Sequence, residues 1–127
     1  MPFTYRIDEQ ARTLHIRAEG AITQAERIAA ISAWLADPKY AACVDALCDF
    51  SAADTTPQLS ELRELIGLLS ERMPAAGPRK LAVIAPKPVT FGVARVFEDL
   101  VRLEGLPIRV KVFFERELAE QWLRPAP

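Results

Sequence analysis

Two short segments carry side chains that could bind an anion, and each one lies between a predicted strand and the helix that follows it. The residues are Ser51, Thr55 and Thr56 in the first segment and Lys87, Thr90 and Gly92 in the second. Ligands of open α/β sheets collect at the carboxyl ends of parallel strands. Free amides and the helix dipole favour anions at helix N-termini. We therefore expect a site for a phosphate or a lipid head group here. The structural alternative is that Thr56 only caps its helix, Gly92 only allows close packing and Lys87 is solvated.

Catalytic chemistry has little support in the residue pattern. His15 is the only histidine, and it is predicted on the polar face of an early strand, away from a serine nucleophile and an orienting carboxylate. Ser51 lacks the GxSxG elbow, and no GxGxxG or P-loop motif is present. Asp45 and Asp49 are predicted roughly 13 Å apart on one strand, too far to share a proton or a metal. We predict no enzyme activity, no cofactor and no metal site.

The two cysteines, Cys43 and Cys48, are predicted to lie on one strand. Five residues of strand span roughly 16–17 Å, whereas a disulfide needs Cα atoms about 4.4–6.8 Å apart. Free thiols in a reducing compartment are therefore expected. A redox or metal role is the alternative, although there is neither a CxxC motif nor a Cys/His cluster.

Composition narrows the class of protein. The chain has 127 residues, with 16 basic and 17 acidic side chains and a formal charge of −1. The sequence has no run of Lys or Arg of the kind that indicates nucleic-acid binding. Its apolar stretches are much shorter than the roughly 20 residues of a membrane span, and no signal peptide is visible. We expect one cytoplasmic domain over residues 1–123 and a flexible tail over residues 124–127.

Hydrophobic periodicity predicts the order β-β-α-β-α-β-α-β-α. The predicted strands cover residues 3–8, 13–18, 43–50, 80–85 and 108–114. A capping box at Thr23 and Glu26 begins the first helix, and Thr56 and Thr90 are the predicted caps of the next two. Repeated strand–helix units imply a mostly parallel sheet of five strands, with the first strand antiparallel through a hairpin.

Four of the five strands alternate apolar and polar residues, whereas strands covered on both faces usually form continuous apolar runs. We therefore predict an α/β fold with helices mainly on one face of the sheet. The other face would carry an apolar stripe of Leu47, Ile84 and Phe113. Such a stripe is a candidate interface for a protein partner or a second copy. The alternative is a solvated face with a few apolar residues.

Three features resemble the SpoIIAA-like family: the N-terminal hairpin, VDALCDF at 44–50, and above all FGVARVFE at 91–98. These small bacterial proteins are related to the STAS domains of anti-sigma-factor antagonists and are grouped with SEC14-type lipid-binding domains. The resemblance covers residues 3–123 and implies a STAS-like fold with a non-catalytic role. The antagonists carry a phosphorylatable serine in a DSSG-like motif. This chain has DFSAADTT at 49–56 instead, so phosphoryl switching is in doubt, with Ser51, Thr55 and Thr56 as the remaining modifiable hydroxyls.

Two functions follow as hypotheses. The first is a cytosolic regulatory or protein-interaction module that uses the sheet face or the strand-end loops. The second is a carrier of a small ligand or lipid, which requires an apolar pocket between the helices and the sheet, opening beside Phe91 and Phe97.

Overall fold

The computed structural model describes residues 2–124, so the last three residues of the predicted tail lie outside the described part. The strands are β1 (Phe3–Asp8), β2 (Thr13–Gly20), β3 (Asp45–Ala53), β4 (Lys80–Ile84) and β5 (Arg109–Phe113). The helices are α1 (Gln24–Ala36), α2 (Leu59–Arg72), α3 (Pro88–Leu103) and α4 (Arg116–Leu123), with a short 3₁₀ turn at Tyr40–Ala42 before β3. The predicted element order is confirmed, and only the 3₁₀ turn is additional.

The strands form one five-stranded sheet in the order β1-β2-β3-β4-β5. β1 and β2 pair antiparallel from Phe3 opposite Ala18 to Asp8 opposite Thr13. The other three pairs are parallel. Both the mostly parallel sheet and its antiparallel first strand were predicted correctly.

Sequential strand order explains why three helices share one face of the sheet. Each parallel connection advances by one strand in the same direction, and right-handed crossovers then place every connecting helix on the same side. Accordingly, α1, α2 and α3 pack over the inward-facing side chains of the strands. The buried strand residues of this layer are Leu14, Ile16, Ala18, Ala46, Cys48, Ala53, Val83 and Val112.

The last helix, α4, packs on the opposite face, where it covers the predicted interface stripe. Ala119 is buried there with Leu47 and Ile84, while Phe113 and Trp122 pack around them. Leu47 is only 3% exposed and Ile84 only 2%. The expectation that Leu47, Ile84 and Phe113 form an accessible surface is therefore corrected, because the chain itself buries them.

Coverage on both faces accounts for the apolar run of β4. Val83 faces the three-helix layer, whereas Ala82 and Ile84 face α4. A strand with helices on both sides has no solvated face and therefore shows no polar alternation. β2 lies outside the part of the sheet that packs on α4, and it does alternate, with His15 half-buried and Arg17 exposed between buried Leu14, Ile16 and Ala18.

The predicted capping box of α1 is present: the Glu26 amide donates to the Thr23 hydroxyl at 3.2 Å, and the Thr23 amide donates to Glu26 at 2.9 Å. The other two predicted caps, Thr56 and Thr90, are wrong. Pairing with Glu19–Gly20 of β2 extends β3 to Ala53, so α2 begins later than predicted and Gln58 is its cap. α3 begins at Pro88, whose fixed φ suits the first helical position, so Thr90 lies within that helix.

Candidate functional site

Ser51 lies apart from the other predicted anion-binding residues. It belongs to β3 and shares the sheet face of Asp49, to which its hydroxyl donates a hydrogen bond. Its amide also donates to Asp49 Oδ1 at 2.8 Å. Because β3 extends through Ser51, this serine is a strand residue and not part of the predicted loop.

Two more of the predicted anion-binding residues, Thr55 and Lys87, form hydrogen bonds with backbone groups. The Thr55 hydroxyl accepts from the Ile22 amide at 2.8 Å and donates to the Ile22 carbonyl at 3.0 Å. Lys87 Nζ donates to the Ala53 carbonyl at 3.0 Å and lies 3.5 Å from the Asp54 carboxylate. These contacts tie together the segments that follow β2, β3 and β4. The Lys87 ammonium group is therefore already paired with the Asp54 carboxylate.

Gly92 is exposed on α3, and a Cβ built there would meet nothing within 4 Å. Close packing therefore does not explain this glycine, which removes the structural alternative proposed for it. Thr56 and Thr90, by contrast, line a cavity, and Thr55 lines it too. Of the six predicted residues, the structure brings these three threonines to one place.

The cavity lies between the sheet and α1, α2 and α3, and it has a volume of about 140 Å³. Its walls are almost entirely apolar. Besides Arg27 and the three threonines, the side chains that line it are apolar: Phe3, Ile16, Ile22, Ile31, Trp34, Cys48, Phe50, Pro57, Leu62, Leu65, Leu81, Val83, Val93, Ala94 and Phe97. It lies beside Phe97, where the carrier hypothesis required a pocket. Phe91 is not in the wall, because its ring stacks on Phe114 at 3.9 Å between centroids.

Small side chains on opposite walls explain why this space is left open. Cys48 projects from β3 and Ala94 from α3. Protein interiors are normally filled to crystal-like density, so a gap of this size is a departure from ordinary packing. A larger residue at either position would occupy part of it.

One charged residue borders the cavity. Arg27 of α1 is buried, and its Nη2 donates to the Ile22 carbonyl at 3.1 Å, the same oxygen that accepts from Thr55. Its Nη1 donates to Gln24 at 3.2 Å and lies 3.9 Å from the Glu61 carboxylate. Burial lowers the pKa of Arg27, and the nearby acids offset this only partly. Arg27 and Thr55 thus mark a polar end of a mostly apolar space.

Sequence reasoning missed Arg27, although a signal was present. An α-helix brings residues four and seven positions apart onto one face, so Arg27 shares the apolar face of Ile31 and Trp34. A basic residue inside the apolar stripe of an amphipathic helix is a departure that could have been noted.

Polar groups on the other face of the sheet form a second, separate cluster. Asp49 accepts from Ser51 and from Arg116 Nη2 at 2.7 Å. Burial raises the pKa of Asp49, but the hydrogen bonds from Ser51 and the Arg116 charge outweigh it and leave the pKa below its usual value. This carboxylate is stabilised in its charged form, which suits an ion pair that anchors α4 and does not suit a proton acceptor.

His15 lines the same open depression as Asp49. Burial lowers the pKa of His15, and the neighbouring Arg6 lowers it further against an opposing effect of Asp8. Within residues 2–124, His15 makes no hydrogen bond to Ser51 or Asp49. The three side chains therefore lack the relay geometry of a Ser-His-Asp triad.

Both cysteines are free and buried, as predicted. Cys48 lies in β3 and lines the cavity. Cys43 precedes that strand, so the prediction that one strand carries both cysteines is wrong. Burial raises the pKa of each thiol, so both are held in the protonated, unreactive form.

Over the described range, no three His, Cys, Asp or Glu side chains are grouped to hold a metal ion. None of the helices there has the length and apolar character needed to cross a bilayer.

The combination of a β-hairpin, consecutive strand–helix units and three helices on one face defines a SpoIIAA-like fold. The chain is similar to an uncharacterised protein from Shewanella loihica PV-4, of the DUF3478 family and with a SpoIIAA-like fold. The similarity covers 96% of this chain and 94% of that one, with a TM-score of 0.59 and 20% sequence identity. The fold that the sequence resemblance implied is therefore confirmed. No family model matches the sequence, and no curated protein matches it.

Proposed function

We propose that this protein is a non-catalytic, cytoplasmic binding protein whose ligand is a small apolar molecule. The observation that supports this is the apolar cavity of about 140 Å³ between the helices and the sheet. Cavities of about 150 Å³ lined by Leu, Ile and Phe stay dry and accept molecules the size of benzene. The volume favours a compact ring or short chain over a complete lipid.

The protein-interaction hypothesis has less support. Its sheet-face version required an exposed stripe, and α4 covers that stripe through Ala119 and Trp122. A partner could reach Leu47 only if α4 moved away, which would expose apolar surface and break the ion pair between Asp49 and Arg116. Ligand binding requires no such rearrangement, so it is the better supported function.

The two tryptophans supply the test. Trp34 lines the cavity, whereas Trp122 lies on the opposite face of the sheet. Bromobenzene, whose heavy atom quenches indole fluorescence at contact, is the probe. In Trp122→Phe we expect saturable quenching of Trp34 with half-saturation on the order of 1 mM, which corresponds to about 4 kcal/mol of binding free energy.

The matched control is Trp34→Phe, in which Trp122 is the only indole. We expect quenching there to rise linearly with bromobenzene, as it does for collisional contact, without saturation. Linear quenching of equal slope in both variants would contradict the proposed function, because Trp34 would then have no site beside it.

A further inference from the structure

Arg27 is an unusual component of an apolar wall. Its side chain is only 9% exposed, and a buried guanidinium keeps its charge at a cost unless a close anion and hydrogen bonds compensate it. The contacts around Arg27 therefore indicate whether the folded chain supplies that compensation by itself.

The folded chain supplies only part of the compensation that the buried charge of Arg27 requires. A guanidinium has five N–H donors, and among the described residues Arg27 makes two hydrogen bonds, to the Ile22 carbonyl and the Gln24 side chain. Both acceptors are neutral. Glu61 lies 3.9 Å away, which is beyond hydrogen-bond distance. The Oε1 atom of Glu61 already accepts from the Gln58 amide at 2.9 Å.

The neighbours of Arg27 give the cavity two chemically different ends. The Thr55 hydroxyl shares the Ile22 carbonyl with Arg27. Apart from Thr56 and Thr90, the remaining wall residues, among them Trp34 and Phe97, are apolar. A ligand that matches both ends has a hydrocarbon body and one anionic group. A carboxylate fits best, because its two oxygens match the fork of guanidinium donors and it is small enough for this volume.

We propose that the ligand is a small apolar monocarboxylate, with its carboxylate on Arg27 and its hydrocarbon in the cavity. This inference rests on the proposed function and names the class of ligand. The carboxylate accepts from the unused Arg27 donors. Glu61, with a side chain 31% exposed, remains partly solvated, so its repulsion of the ligand is weakened by water.

The test compares hexanoate with hexan-1-ol, which share a six-carbon chain and differ in the head group. Each compound is added to the Trp122→Phe variant with bromobenzene bound. Displacement of bromobenzene is then measured as recovery of Trp34 fluorescence. We expect hexanoate to compete at least tenfold more tightly than hexan-1-ol at neutral pH. In Arg27→Met we expect this preference to disappear while the affinity of hexan-1-ol changes less than threefold.

Two further variants keep the test decisive. Arg63 is an exposed arginine of α2 outside the cavity wall, so Arg63→Met is expected to keep the tenfold preference. Arg27→Lys retains the charge without the bidentate fork, so we expect an intermediate preference of about threefold. This variant also serves if Arg27→Met does not fold.

The outcomes separate the two proposals. Displacement by hexan-1-ol that equals or exceeds displacement by hexanoate would overturn the carboxylate assignment and leave the apolar site intact. The same conclusion would follow if hexanoate kept its preference in Arg27→Met. Failure of both compounds to displace saturably bound bromobenzene would overturn the carboxylate assignment alone, whereas the absence of saturable quenching by bromobenzene would overturn both proposals.

Discussion

Ala94→Leu is expected to weaken bromobenzene binding at least 50-fold while the free energy of unfolding rises by about 1 kcal/mol. Ala94 lines the cavity from α3, and leucine adds three carbons that point into the space the ligand needs. An empty cavity costs about 24 cal/mol per Å³. Filling part of it therefore stabilises the fold, and some of that gain is lost to imperfect packing.

Quenching of Trp34 measures the binding, and urea unfolding followed by circular dichroism measures the stability. Val96 is the control, because it lies on the same helix but is 41% exposed and outside the cavity wall. Val96→Leu should change neither quantity noticeably. Undiminished binding in Ala94→Leu would show that the ligand occupies another place. A loss of more than 2 kcal/mol would show that no space was open beside Ala94.

The second large effect concerns α4. Ala119→Asp is expected to lower the free energy of unfolding by about 3–5 kcal/mol, because it buries a carboxylate among apolar side chains. Ala119 is 0% exposed and packs on Leu47, Ala82 and Ile84. Some molecules will instead release α4, and the emission of Trp122 will then shift to longer wavelength as its ring meets water.

Leu118→Asp is the matched control, since Leu118 precedes Ala119 in the same helix but is 47% exposed. We expect it to change stability by less than about 1 kcal/mol. Equal, small effects of the two substitutions would show that α4 does not cover the sheet. The stripe of Leu47, Ile84 and Phe113 would then be restored as a candidate interface.

Much of the fold could be predicted because its signals are local. Alternation predicted β1, β2 and β5, and hydrophobic periodicity predicted α2, in which Leu62, Ile66 and Leu69 are buried. The destination of α4 could not be predicted in the same way. The face of the sheet on which a crossover helix packs is determined by the position of the next strand. This rule does not apply to α4, because α4 follows the edge strand β5 and does not connect two strands of the sheet. The choice of face depended on tertiary packing against Leu47 and Ile84.

The candidate site was harder to predict. A cavity arises where side-chain volumes from distant elements fail to fill a space, and no local pattern in the sequence records that Cys48 and Ala94 border the same space. The hydroxyl residues were assigned to helix caps and an anion site from position alone. Thr55 and Thr56 instead reached the cavity because β3 continued to Ala53 and α2 began only at Leu59.

The most direct test of the cavity as a ligand site is a crystal structure of the protein soaked in bromobenzene, with bromine located by its anomalous scattering. The account predicts one strong bromine peak enclosed by Trp34, Leu65 and Phe97, with the surrounding helices unmoved. A space that is filled by protein side chains or by ordered water, with bromine only on the molecular surface, would contradict it.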